Sequence, residues 1–295
     1  MWHALIIGES LIDVIQGSEH CGGSPMNTAI ALARLGRPTR FVTCFGDDDR
    51  GHVIREQLRA ENVHLANDPL TACNTSTAIA KLAPDGSATY DIDLRWEPHQ
   101  IDSRALADTA VLHFGSIAAL VAPGCDLVEK TALALQGKAF ISYDLNLRPS
   151  VTGTGVDVVN RVTRLAGLST LVKASDQDLK ALFPNRSVEE TAHYLLNLGP
   201  KAVIVTRGST GSTWYGKLFT VPIAATPVDV VDSIAAGDTF SAALIDALWD
   251  TGVFKDPRPL TLAEIEAALR HATKAADVTV TREGADPPHK SELSV

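Results

Sequence analysis

The sequence predicts an α/β protein: a doubly wound, mostly parallel sheet with helices on both faces, carrying a small β-strand lid. Three observations lead there. Short, largely apolar runs at residues 4–7, 110–114 and 139–143 end in glycine or polar residues, as strands buried on both faces do. Between such runs lie stretches with apolar residues at helical spacing, Phe240, Ala243, Leu244, Ala247 and Leu248 being the clearest. From Thr75 to Leu94 the rhythm turns to alternation around Pro84-Asp85-Gly86, which marks a hairpin instead of another βα unit.

The elements follow in order. Residues 4–7 form the first strand, closed by Gly8, and Asp13 sits in a segment that fits another short strand. Cys21-Gly22-Gly23-Ser24-Pro25-Met26-Asn27 then opens a helix. Ser24 suits its N-cap, Pro25 its first turn, and Gly36 stops it after Leu35. The paired glycines either bring bare backbone close to a ligand or make a plain tight turn. Asn27 carries a donor and an acceptor on one amide, which suits neighbouring hydroxyls. A strand over 40–45 leads to Asp47-Asp48-Asp49, acids that suit the start of a helix reaching Asn62. The hairpin comes next, and its Asp91, Asp93 and Arg95 fit either a lid with a polar face or a solvated edge.

The βα rhythm resumes with a strand over 110–114, a helix over 127–135 and a strand over 139–143. That last strand empties into Asp144-Leu145-Asn146-Leu147-Arg148-Pro149, and open parallel sheets bind ligands just past their strand ends. A strand over 170–173 precedes Ser175 and Asp178, which fit a capping box. A strand over 201–206 precedes Thr206-Arg207-Gly208-Ser209-Thr210-Gly211, a turn that lines a nucleotide or joins two strands. The final helix, 262–279, sets Ile265, Ala268, Leu269, Ala272, Ala275 and Ala276 on one face, and the tail from Pro287 reads as loose. Without repeat, low-complexity tract or linker, residues 1–295 read as a single domain, with inserted strands near 11–20 and 75–97 that the resemblance named below makes a lid.

Composition removes several function classes. A net charge of −9 and a pI near 5.4 argue against nucleic acid as the main partner. Cys21, Cys44, Cys73 and Cys125 lack paired or metal-like spacing, so reduced thiols in a cytoplasmic protein are expected. No apolar run is long enough for a membrane span. The P-loop pattern, the dinucleotide Gly-x-Gly-x-x-Gly after the first strand and the Gly-x-Ser-x-Gly elbow are all missing. The nine histidines show no ligand pattern, so His113 and His193 read as structural.

Chemistry concentrates at Asp232-Ser233-Ile234-Ala235-Ala236-Gly237-Asp238. Small residues here bring bare backbone N–H groups to a helix N-terminus, which attracts anions and phosphate in particular. Asp238 either caps that helix or takes a proton from a hydroxyl while the backbone holds a phosphoryl group. Taken alone, the stretch leaves both readings open.

Two long patterns in order, Gly22-Gly23-Ser24-Pro25-Met26-Asn27-Thr28-Ala29 and Asp232 to Asp238, give the chain its resemblance to the ribokinase-like, or phosphofructokinase B, carbohydrate kinases. The resemblance implies phosphoryl transfer from ATP, with magnesium, to a sugar hydroxyl. It makes Asp238 the general base and Ala235, Ala236, Gly237 and Asp238 the anion hole. It implies sugar contacts at Asp13, Gly22, Gly23, Asn27 and Arg148, with Tyr90 and Arg95 on the lid. Lys173, Ser175, Thr206, Gly208, Gly211, Ala272 and Ala276 match its nucleotide positions. Asp232 and Ser233 lie where members bind a monovalent cation, usually potassium, and a homodimer through the lid is compatible with it. Two departures stand out. The common Asp-Thr-x-Gly-Ala-Gly-Asp is here Asp-Ser-x-Ala-Ala-Gly-Asp, and Asn-x-x-Glu is Ser175-x-x-Asp178, so Asp178 would reach magnesium only through water. Asp144-x-Asn146-x-Arg148-Pro149 and Lys173-x-Ser175 look most like fructokinases, then 2-keto-3-deoxygluconate kinases, with ribose or a nucleoside behind. A ligand-binding protein without catalysis is the alternative from another class.

Overall fold

In the strand His3–Ile7 every residue is buried, and such a strand needs cover on both faces. The structure, a computed structural model that describes residues 2–15, 17–82 and 88–293, supplies that cover as two helical layers. Ala4 and Ile6 face one layer, packed with Met26 and Leu32 of the helix Ser24–Arg34, Ala243 of the helix Ala236–Asp250 and Leu269 of the helix Leu262–Val280. Leu5 and Ile7 face the other, with Val128 of the helix Gly124–Leu135, Leu165 of the helix Val156–Leu168 and Leu195 of the helix Val188–Asn197.

Among the described residues the central sheet has nine strands. Their order is Thr220–Ile223, Ser212–Gly216, Ala202–Thr206, Leu171–Ser175, Phe140–Asp144, Thr109–Gly115, His3–Ile7, Thr39–Val42 and His64–Leu65. Ser212–Gly216 alone runs against the rest. The remaining pairings are parallel, so the loops beyond the carboxyl ends gather at one edge. A second sheet stands over that edge in the order Ser18–Gly22, Leu11–Ile15, Thr77–Leu82 and Ala88–Asp93. Its two antiparallel hairpins join through a parallel pairing of Leu11–Ile15 with Thr77–Leu82. The Pro84-Asp85-Gly86 turn lies outside the described residues.

The structure differs from the sequence reading in three places. Ser24 does not cap its helix, because Gly23 at φ 104° takes the N-cap position and leaves the Ser24 hydroxyl free for a tertiary partner. The helices Val156–Leu168 and Val188–Asn197 fill stretches that the sequence reading leaves unassigned, the second opening on a Ser187–Glu190 capping box. The tail from Pro287 is not loose as far as Leu293. Arg34 holds it through Asp286 at 2.5 Å and the Pro287 carbonyl at 2.7 Å, and Leu293 packs against the core. Among the described residues no helix is long and apolar enough to cross a membrane.

Candidate active site

The helices Ser24–Arg34 and Ala236–Asp250 both begin at the sheet edge where the strand ends gather, and their first turns face each other across Asp238. Ala235 supplies the N-cap in left-handed conformation (φ 59°) with no side-chain cap, and Asp238 is the third helical residue. The first N–H groups of a helix have no intrahelical acceptor, so residues 235–238 present donors and positive partial charge. Asp238 leaves them uncapped. Its carboxylate turns to other elements: Oδ1 accepts from Ser24 Oγ at 2.6 Å and Asn146 Nδ2 at 3.3 Å, and Oδ2 from Asn27 Nδ2 at 2.9 Å. Asn146 also donates to Ser24 at 2.7 Å, which closes a small network. Burial pushes the Asp238 carboxyl above its ordinary value and nearby Asp144 adds to the rise, while the Ser24 and Asn27 donors and the Lys173 charge oppose it.

Lys173 lies on the strand Leu171–Ser175, almost wholly buried, with its ammonium 2.7 Å from Asp144 Oδ2. Ser241, one turn past Asp238, donates to the same oxygen at 3.0 Å, and Asp144 Oδ1 is buried without a partner. A Cβ placed on Gly237 would lie 3.5 Å from Lys173 Nζ. A buried ammonium therefore stands against the donor-rich helix terminus.

On the lid side, Asp13 lies opposite His20 in the strand pair. Glycine is required beside it. A Cβ on Gly22 would come 2.0 Å from Asp13 Oδ2, and one on Gly23, already at φ 104°, 2.6 Å from the Glu9 carbonyl. Burial lifts the Asp13 carboxyl to about 6 against His20 and Arg148, with Asp238 adding to the rise. Arg148 Nη1 donates to Asn146 Oδ1 at 2.6 Å, and Arg95 pairs with Asp93 at 3.0 Å. Tyr90 lies in the strand Ala88–Asp93, paired with Ala80.

Beyond Lys173, Thr206 ends its strand next to the turn in which Gly208 (φ 52°) and Gly211 (φ 100°) bend the chain. A Cβ on Gly211 would fall 2.1 Å from the Ile223 carbonyl, and the turn joins two antiparallel strands of the sheet. Ala276 is partly buried at this side. Ala272 is fully buried in the helical layer, which removes it from direct contact with a ligand. Ser175 and Asp178 form the capping box, and Asp178 takes Ser175 N at 2.8 Å and Leu147 N at 2.9 Å on its two oxygens. Asp232 likewise takes Ile234 N and Gly284 N, at 2.9 and 3.0 Å, tying its loop to the end of the last long helix, while Ser233 is exposed.

Among the described residues no group of three or more His, Cys, Asp or Glu could hold a metal ion. The Asp47-Asp48-Asp49 run serves as a helix start, with Asp48 accepting from Gly51 N at 2.8 Å and Thr75 N at 2.8 Å. A magnesium ion here would therefore have to bring most of its ligands on phosphate oxygens and water, since the described residues form no protein cage for it.

Sequence reasoning missed Asp144, Asn146, Ser24, Ser241 and Glu9 as individual site residues. The first two lay in the polar run past a strand end, which was the available signal. Ser241 gave none beyond its position three residues after Asp238. Glu9 follows the first strand, is 2% exposed and accepts from Ala118 N at 3.0 Å.

The fold and these loops define an α/β protein with a ligand site at the carboxyl ends of a parallel sheet, under a β-strand lid. Residues 4–292 match the model of the pfkB family carbohydrate kinases, and the chain belongs to that family. Its members phosphorylate sugar hydroxyls. A fructokinase from Rhizobium leguminosarum bv. trifolii is 34% identical over 258 residues, 83% of this chain and 79% of that one. The structure of a Xylella fastidiosa fructokinase with bound ATP superposes with a TM-score of 0.85 at 24% identity, over 99% of this chain and 96% of the other. That of a Vibrio cholerae O395 fructokinase with fructose, ADP and calcium gives 0.83 at 24% identity, over 99% and 98%.

Proposed function

We propose that this chain is an ATP-dependent fructokinase that moves the γ-phosphoryl group of ATP to the 6-hydroxyl of D-fructose. The observation that carries the reading is the buried Asp238 carboxylate at the first turn of its helix, oriented by Ser24, Asn27 and Asn146. The hydroxyl proton passes to Asp238, the sugar oxygen forms its bond to the γ-phosphorus, and the bond to the bridging oxygen of ADP breaks. Backbone donors at 235–238 and the Lys173 ammonium stabilise charge on the group in transit. A carboxyl with raised proton affinity is better matched to an alcohol proton than an ordinary one. Asp13, the backbone at Gly22 and Gly23, and the Asn27 carbonyl hold sugar hydroxyls beneath the lid. Tyr90 and Arg95 help exclude water, which would otherwise be phosphorylated. Thr206, Gly208, Gly211, Ser175 and Ala276 line the nucleotide side. Magnesium carried in on ATP would neutralise its phosphates, with Asp178 reaching it through water, and Asp232 and Ser233 would hold a potassium ion beside the loop before the anion hole.

Fructose is favoured over 2-keto-3-deoxygluconate for two reasons. The Rhizobium relative is named a fructokinase. The candidate cations for a sugar carboxylate are engaged, Arg148 with Asn146 and Arg95 with Asp93.

One experiment tests the whole reading: coupled ADP release over fructose, 2-keto-3-deoxygluconate, ribose and a nucleoside, with magnesium withheld and with potassium exchanged for sodium. Fructose should give the highest kcat/KM, activity should need magnesium, and potassium should raise it. Asp238→Asn should keep ATP and fructose binding and lose about 100-fold or more in turnover, the scale of a lost general base. A better substrate elsewhere in the panel refutes the sugar. Near-normal turnover in the variant refutes the base, and no ADP release with any sugar refutes the kinase. The exposed Ile79 on the lid sheet suits a homodimer through the lid, and sedimentation of Ile79→Asp as a monomer would bear on it.

A further inference from the structure

A cleft of about 750 Å³ opens at the other end of the central sheet. The strand Leu171–Ser175 measures the separation: Leu171 lines the cleft, and Ser175 lies beside the nucleotide turn about 13 Å away at roughly 3.3 Å per residue. Its walls are aromatic and aliphatic. Phe140 and Phe254 meet with ring centroids 4.8 Å apart, and Trp214, Leu171 and Ile265 continue the apolar surface. This size lies within the roughly 300–1,000 Å³ of small-molecule sites, and predominantly apolar walls with a few polar groups are what such sites show.

The charge around it is one-sided. Lys138, Lys201, Lys217 and Arg258 line the cleft and no Asp or Glu does, in a chain with 35 acidic and 26 basic residues. Arg258 is paired with Glu264 at 2.6 Å, and Lys138 donates to the Ala134 carbonyl at 2.9 Å. Lys201 and Lys217 are exposed and have no partner among the described residues. Two unspent ammonium groups over an aromatic floor are complementary to an anion attached to an apolar ring. A concave site of this size suits a compact molecule and not a flat protein face.

We infer that this cleft is a second binding site, distinct from the sugar and ATP site, for a small aromatic or branched apolar molecule bearing one anionic group. The anion lies between Lys201 and Lys217, and the apolar body enters against Trp214 and Phe254.

Fluorescence titration with 1-anilinonaphthalene-8-sulfonate, an anion on an aromatic body, tests this on the intact protein. Saturable binding at one site is expected, unchanged when saturating ADP, magnesium and fructose fill the catalytic site. The double substitution Lys201→Glu and Lys217→Glu touches only exposed side chains and should weaken the probe about tenfold, about 1.4 kcal/mol. It should leave fructose phosphorylation as it was. The uncharged probe N-phenyl-1-naphthylamine should bind about tenfold more weakly than the sulfonate. Displacement by ADP, equal affinity in the double variant, or equal affinity for the uncharged probe would each overturn the inference. A change of oligomeric state in the double variant, read by sedimentation, would also overturn it by making the cleft a protein interface.

Discussion

Replacing Glu9 with glutamine should stabilise the protein in mild alkali and leave it nearly unchanged in mild acid. Glu9 is 2% exposed beyond the first strand, and burial lifts its carboxyl from 4.5 to about 7 against the Ser116 and Ala118 donors and the Arg148 charge. Its folded value exceeds its unfolded one, so between 4.5 and about 7 the folded chain holds a proton that the unfolded chain has released. Stability therefore falls as pH rises through that window. The difference of 7 − 4.5 = 2.5, at about 1.36 kcal/mol for each, makes the full loss about 3 kcal/mol. Glutamine has nearly the same shape, stays neutral and can still accept from Ala118 N. Urea unfolding of both proteins from pH 4.5 to 8.5 reads the effect. The advantage of Glu9→Gln should grow by about 3 kcal/mol across the series and level off above pH 7. Parallel stability curves for the two proteins would refute the reasoning, because they would mean that Glu9 ionises in the fold as freely as in the unfolded chain.

Two further outcomes follow from the lid side. Gly23→Ala puts a Cβ 2.6 Å from the Glu9 carbonyl at φ 104°, so a loss of about 1–3 kcal/mol from the backbone alone is expected in urea unfolding. Unchanged stability would mean that the loop relaxes. Asp13, with its carboxyl lifted to about 6, should lose its acceptor charge below that pH. Calorimetric fructose affinity should then fall with acid in the wild type, while Asp13→Asn lacks that acid limb. A wild-type affinity flat to pH 5 would remove Asp13 from sugar binding.

The βα order was legible because strands buried on both faces cannot hide their apolar runs, and the lid because its alternation differs from theirs. The helix Val156–Leu168 was legible too, since Val158, Val162, Leu165 and Ala166 recur at helical spacing between Asp157, Asn160, Arg161 and Arg164, although the sequence reading leaves it unassigned. Within the site, the loops at Gly22–Gly23 and 232–238 could be read from small residues beside acids and an amide. The contacts that orient Asp238 could not. Asn146 and Asp238 lie 122 and 214 residues after Ser24 in the chain, and only the fold brings their side chains to one point. The tail misled for a related reason: Asp286 and Pro287 look like an end, but Arg34 waits for them 252 and 253 residues earlier.

The Asp144–Lys173 pair bears directly on how the proposed base works. A buried carboxylate beside a donor-rich helix terminus would ordinarily be a poor proton acceptor, because the terminus favours its charged form. Burial counters this first, and Asp144 adds to it. Both raise the proton affinity of Asp238, while the Ser24 and Asn27 donors and the Lys173 charge oppose the rise. The ammonium has a second consequence. Held by Asp144 at 2.7 Å and poised against Gly237, it keeps a buried positive charge at the anion-binding turn before any phosphate is there. Removing Lys173 would leave Asp144, with one oxygen already unpartnered, as an uncompensated buried charge, the costly way to break such a pair. The proposed base is thus shifted by burial, by a neighbouring carboxylate and by an ammonium, and Asp144 and Lys173 both come from strands of the central parallel sheet.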